Sequence, residues 1–163
     1  PDFAERLIAE VEASGVPPAV LELEVTESGL MQDMTLAARH LDRLACAGFR
    51  IAIDDFGTGH SSLAYLKALP VSVLKIDRAF IRELHANPAD QRLTGTVIDM
   101  ARHFEFTTVA EGVEQEAQLE RLMDMGCDLV QGFMFAPPLK EDALFRLMST
   151  GFAHLPAFGG ALA

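Results

Sequence analysis

Cysteine is scarce in this chain of 163 residues: Cys46 and Cys127 are the only two, far apart and in no C-x-x-C pair. Neither a disulfide framework nor a zinc knuckle is expected, and both read as small core residues in a reducing compartment. Cations are short as well, with 13 Lys and Arg against 24 Asp and Glu and a formal net charge of −11. Coating a nucleic-acid polymer requires clustered Lys and Arg to release its counterions, so no such partner is expected. Long apolar runs are missing. Stretches such as Phe133-Met134-Phe135-Ala136 stop far short of the roughly 20 residues of a membrane span. The opening Pro1-Asp2-Phe3-Ala4-Glu5-Arg6 is acidic and amphipathic, not a basic leader before an apolar block. No membrane contact and a cytoplasmic location are expected, with room for a membrane tether elsewhere in a longer parent protein.

What is present is 50% hydrophobic, enough at this length for one domain with a core of its own. Apolar spacing predicts a helix from Asp2 along the stripe Phe3, Leu7, Ile8 and Val11, ended by Gly15. Further helices are predicted over 33–47 (burying Leu36, Leu41, Leu44 and Ala45), 61–69, 115–125 ended by Gly126, and 140–148. Another starts with Asn87 as N-cap and Pro88 as first helical residue and runs to about 103. Met123, Met125, Met134 and Met148 read as core filler. Short apolar strands are predicted at 20–26, 49–54, 71–76, 106–110 and 128–132. Such strand–helix alternation is the pattern of a parallel α/β sheet. The tail, 150–163, is apolar and Gly-rich and is assigned no element.

The polar residues of these strands are placed alike. Each strand is apolar and then carries a polar residue near its C-terminal end: Glu24; Asp54 and Asp55; Lys75 and Asp77; Glu111; Gln131. In a parallel barrel those ends converge on one rim, where barrel enzymes place their chemistry. A single carboxylate after a strand is most often a helix N-cap or a solvated turn, but five strands with one arrangement make that a poor joint explanation. Four carboxylates on one rim (Glu24, Asp54, Asp55, Glu111) would repel strongly unless divalent cations neutralised them. An all-oxygen donor set favours hard ions, Mg²⁺ or Mn²⁺, and the adjacent Asp54 and Asp55 could serve two ions together.

The stretch Phe56-Gly57-Thr58-Gly59-His60-Ser61-Ser62 offers a flexible loop rich in backbone N–H groups, suited to a phosphate, or an ordinary strand-to-helix turn. It is neither a P-loop nor a dinucleotide fingerprint. The five histidines make no H-x-x-x-H or H-x-H pair, and Ser61 and Ser62 lack a partnered His and Asp at a recognisable spacing.

At these residues the chain resembles the EAL-domain cyclic-di-GMP phosphodiesterases. The matching motifs are Glu24-Val25-Thr26-Glu27-Ser28, Asp54-Asp55-Phe56-Gly57-Thr58-Gly59, Leu74-Lys75-Ile76-Asp77, Ala110-Glu111-Gly112-Val113-Glu114 and Gln131-Gly132-Phe133, in family order. The resemblance implies an α/β fold, a TIM-type (β/α) barrel represented by about five of its eight strands, and two Mg²⁺ or Mn²⁺ ions. Asp54 would bridge the ions, Asp55 and Glu111 would complete one, and Glu24 would help hold the other. Lys75, catalytic together with Glu111, would hydrogen-bond the attacking water. Glu27 would anchor the loop from Asp55 to Ser62, with Gly57, Thr58, Gly59 and Gln131 lining the substrate side. The implied reaction is hydrolysis of one phosphodiester of cyclic-di-GMP to the linear dinucleotide pGpG by a metal-activated water.

Residues 1–149 are accordingly expected to be the C-terminal portion of an EAL domain, because the Glu-Ala-Leu tripeptide and the strand with a metal-binding Asn are absent ahead of Glu24. The chain alone is then expected to be inactive and to leave two strand edges and apolar barrel-interior side chains open. A homo-oligomer covering that edge is expected, or an unstable chain. The alternatives are a degenerate module that binds cyclic-di-GMP without cleaving it, and a truncated domain serving dimer contacts through 81–103.

Overall fold

The apolar runs form strands, and every strand pairs in parallel with the next one in sequence. In the computed structural model, residues 3–57 and 66–151 are described. The strands are β1 (Glu22–Thr26), β2 (Arg50–Phe56), β3 (Val73–Ile76), β4 (Thr107–Ala110) and β5 (Leu129–Val130), in the order β1-β2-β3-β4-β5. The helices are α1 (Phe3–Ser14), α2 (Glu27–Gln32), α3 (Met34–Cys46), α4 (Arg78–Ile81), α5 (Pro88–His103), α6 (Glu116–Met125) and α7 (Glu141–Thr150). This is the expected parallel α/β sheet. The helix expected at 61–69 and the tail lie largely outside the described residues.

Register decides what the two faces carry. Glu24 stands opposite Ala52, Ala52 opposite Val73, and Lys75 opposite Val109. Side chains alternate along a strand, so Glu24, Asp54, Lys75 and Glu111 all project from one face near the C-terminal ends. The other face carries Ile51, Ile53, Leu74, Ile76 and Ala110, which form the core with Leu41, Leu44, Val97, Ile98, Ala101, Leu119 and Leu122 from α3, α5 and α6. All four residues of β3 are buried, as suits a central strand of a parallel sheet.

Local signals set the helix ends. The Asn87 side chain accepts the Ala89 N–H at 2.9 Å with Pro88 in the first turn, and Gly126 closes α6 in the left-handed conformation. At the N-terminal end of the β4/β5 pair, Asp128 accepts from the Thr108 N–H (2.8 Å) and hydroxyl (2.7 Å), a clasp between the two strands.

Several expectations need correction. Phe3, Leu36, Leu93, Met123 and Met148 are exposed; the apolar stripes of their helices are narrower than periodicity suggests, and only Met125 and Met134 of the four methionines reach the core. β5 spans two residues because Asp128 is engaged in the clasp and residues 131–134 fold against Val113. The helices α2 and α4 were not anticipated, being one-turn elements too short to show a period. Of the expected exposed barrel-interior residues, Leu129 is exposed, whereas Ala52 and Val73 are buried. α5 packs on the sheet through Val97, Ile98 and Ala101, which accounts for its apolar face without a partner. No helix among the described residues is long and apolar enough to cross a membrane.

Candidate active site

Lys75 is the centre of the polar face. Its side chain is 7% exposed, and its ammonium lies 2.6 Å from Glu24, 2.7 Å from Glu111 and 3.0 Å from Asp54. Three strands and the start of the β4–α6 connection supply these groups. Burial alone would lower the lysine pKa; pairing with the Glu111, Glu24 and Asp54 carboxylates outweighs it and raises the pKa above the ordinary value. Lys75 therefore keeps its proton and acts as a donor.

Asp54 and Asp55 are neighbours in a strand, and strict alternation would send them to opposite faces. The β2–β3 register shifts between Ile53 and Phe56, and Asp55 adopts φ 54°. Aspartate tolerates this left-handed conformation better than most residues, and a bulge re-aims side chains in this way. As a result one carboxylate oxygen from each of Asp54, Asp55 and Glu111 lies within 4.8 Å of the others. Partial desolvation, a hydrogen bond shared with Asp77, and the negative charges of Asp54, Asp77 and Glu111 together raise the Asp55 pKa. The buried Asp54 Oδ1 makes no hydrogen bond of good geometry, although the Lys75 ammonium stands beside it at 3.0 Å. An all-oxygen triad with such an atom fits a hard divalent cation.

The surrounding backbone is tightly held. Glu27, 2% exposed, accepts the Gly57 N–H at 3.0 Å, reaching across from the first residue of α2 to the end of β2. Gly57 has φ +99°, and a Cβ there would meet the Phe80 ring at 2.8 Å. Gln131 is brought beside Glu111 by backbone pairing: its N–H donates to Ala110 (2.8 Å) and its carbonyl accepts from Val113 (3.0 Å). Thr58 and Gly59 lie outside the described residues.

A family model described as "EAL domain" matches residues 1–138. The chain belongs to the EAL domain family. It is 45% identical over 134 residues to the cyclic di-GMP phosphodiesterase NbdA of Pseudomonas aeruginosa, an alignment covering 82% of this chain and 17% of NbdA. Among solved structures it resembles the PaMucR phosphodiesterase in complex with c-di-GMP, with TM-score 0.83 and 42% identity over 87% of this chain and 57% of that one. It also resembles the manganese/cy-diGMP complex of Klebsiella pneumoniae BlrP1, with TM-score 0.78 and 33% identity over 85% of this chain and 35% of that one. The chain thus spans less than a fifth of NbdA, and its fold is that of EAL domains, a partial TIM-type barrel.

Within this EAL chain the structure gathers Glu24, Asp54, Lys75 and Glu111 into one contact group, with Asp55 joined to it through the triad. Glu27 and Gln131 flank that group. Asp77, expected on the rim but not in the site, hydrogen-bonds Asp55 and caps α4 by accepting the Ala79 N–H at 2.7 Å. Its place two residues after Lys75, on the same face of the strand, was the available signal.

Proposed function

We propose that this chain carries the cation-binding and catalytic half of a cyclic-di-GMP phosphodiesterase that yields pGpG. The observation that carries the proposal is the approach of the Asp54, Asp55 and Glu111 carboxylates to within 4.8 Å around a buried, protonated lysine. Asp54, Asp55 and Glu111 would hold one Mg²⁺ or Mn²⁺, with Asp54 shared toward a second ion that Glu24 helps hold. The ions, when bound, supply positive potential for the phosphate and acidify water.

The protein's own part follows from the geometry. Lys75 would donate one hydrogen bond to the attacking water: carboxylates keep its ammonium charged and fixed, and the N–H nearest Asp54 is uncommitted because Asp54 Oδ1 makes no hydrogen bond of good geometry. Glu111 orients the ammonium from β4's end and so couples the water's donor to the cation site. Glu27 holds the Gly57 amide at the end of β2, while Gln131 borders the substrate directly after β5. An anionic dinucleotide approaches so acidic a rim only when cations have reversed the local potential.

Within these 163 residues one ion would have three carboxylate ligands and the second would have Glu24 and a share of Asp54. The chain taken alone therefore turns over slowly at best. Cytoplasmic action fits two free cysteines and a nucleotide substrate. Self-association that covers the edges of β1 and β5 fits the exposure of Leu129, Phe133, Phe145 and Met148.

Calorimetric titration of the chain with cyclic-di-GMP, with and without Mn²⁺, tests the proposal. Metal-dependent binding is expected, and it should disappear in Asp54→Asn. Binding of equal strength without metal would overturn the enzyme reading in favour of a sensor, and absence of binding under both conditions would overturn any role for the nucleotide.

A further inference from the structure

Gln118 is an amide buried to 2% exposure in a connection that leads out of the site. It stands at the third position of α6. Its side-chain oxygen accepts the N–H groups of Glu114 at 2.8 Å and Gln115 at 2.9 Å. The Gln115 contact belongs to a capping box, and a glutamate's carboxylate would accept both N–H groups equally well. The third contact has no part in capping. The Gln118 amide nitrogen donates at 3.0 Å to the carbonyl of Arg82, 36 residues earlier and directly after α4. The planar amide accepts from one segment and donates to the other, which an ionised carboxylate of the same shape does not do.

The two tied segments each begin at a member of the site. The connection closed by Gln115 starts at Glu111, and α4 starts directly after Asp77, the hydrogen-bond partner of Asp55. They also touch: a Cβ at Gly112 would lie 2.6 Å from the Arg78 Cβ, so their separation has no slack.

We infer that Gln118 is a positioning residue for the cation site: its amide clamps the β4–α6 connection to the end of α4 and thereby fixes Glu111 relative to Asp55 and Asp77. This rests on the proposed cation-binding role of the triad. Buried polar groups with every partner in place are rigid specifiers of local geometry, and groups behind metal ligands commonly govern affinity.

Two variants of this chain test it, Gln118→Glu and Gln118→Met, each read by Mn²⁺ affinity, thermal midpoint and amide exchange over 112–115. Gln118→Glu retains the cap and loses the donor to Arg82. Its added negative charge would by itself tighten cation binding, so weaker binding reports altered geometry. The expected result is a loss of about tenfold or more in Mn²⁺ affinity for both variants, with faster exchange over 112–115. Thr108→Val, which weakens the clasp at the other end of β4, should lower the thermal midpoint and leave the affinity within about twofold.

Gln118→Glu binding Mn²⁺ as tightly as the wild type would reduce Gln118 to a helix cap and overturn the inference. An affinity loss of the same size in Thr108→Val would also overturn it, by showing that general destabilisation suffices. Wild-type protein that binds no Mn²⁺ would overturn the cation-site reading itself and this inference with it. Should Gln118→Met fail to fold, Gln118→Glu, with its cap intact, carries the decision.

Discussion

Lys75 lies within 3.0 Å of Glu24, Asp54 and Glu111, and this makes the metal-free site tolerable. Without the ammonium, partly buried carboxylates would face one another with no counter-charge. Lys75→Met is expected to destabilise the metal-free protein by about 2–4 kcal/mol, at or below the cost of stripping one partner from a buried ion pair because Glu24 is half exposed. Mn²⁺ should restore part of the loss, as read by thermal melts in chelator and in metal; equal melts for wild type and variant in chelator would refute the counter-charge role. The raised Lys75 pKa means that this stabilisation is complete below the ordinary lysine value of 10.5 and is lost only as pH rises through the higher folded value.

Asp55 shows the same direction of linkage at the acid end of the scale. Its pKa is raised above 3.8, so the folded state retains a proton that the unfolded chain releases, and metal-free stability from this group falls as pH rises through that window. A cation competes with that proton. Mn²⁺ affinity should therefore climb with pH over a range above the usual aspartate value, and Asp55→Asn should flatten this part of the profile. A wild-type profile already flat there would contradict the geometry around Asp55 and Asp77.

At the scale of elements, the junction of β4, β5 and the segment after each is the least forgiving. A Cβ on Gly132 would overlap the Val113 carbonyl oxygen and its nitrogen. Val113 cannot retreat, because its N–H donates to Gln131 at 3.0 Å and its carbonyl accepts from Met134 at 3.0 Å. Gly132→Ala is expected to cost about 3 kcal/mol, at the upper end of overpacking penalties, and to speed exchange of the Val113 amide. Urea unfolding checks the first and exchange the second; an unchanged midpoint would refute the contact. Elements with long periods or strong punctuation were legible in sequence, α5 behind Asn87-Pro88 and α6 ahead of Gly126 among them. The one-turn helices α2 and α4 were not, since four to six residues show no helical period.

For the whole molecule, the dominant fact is that among the described residues the sheet is open, with β1 and β5 as its edges. Unpaired edges and exposed apolar groups favour pairing with another surface. No residue of α7 is buried, so Leu144, Phe145 and Met148 stay open to solvent. Sedimentation velocity over a concentration series should show reversible self-association of this chain. A stable monomer throughout the series would remove the argument for a covered edge.

The amino-acid sequence by itself determined the parallel α/β order, the strands, and the set of acidic residues at their C-terminal ends, because each of these is written in local apolar runs and their punctuation. That Glu24, Asp54, Lys75 and Glu111 share one face follows from strand register, which depends on pairing between segments distant in sequence. Tertiary structure alone decided that a bulge would turn Asp55 toward Glu111, that Asp77 would join it, and that Gln118 would bind two loops 36 residues apart. Backbone irregularities and long-range hydrogen bonds leave no periodic trace in a chain, so the acidic residues of the rim were readable in advance, while the part of Asp77 and the geometry were not.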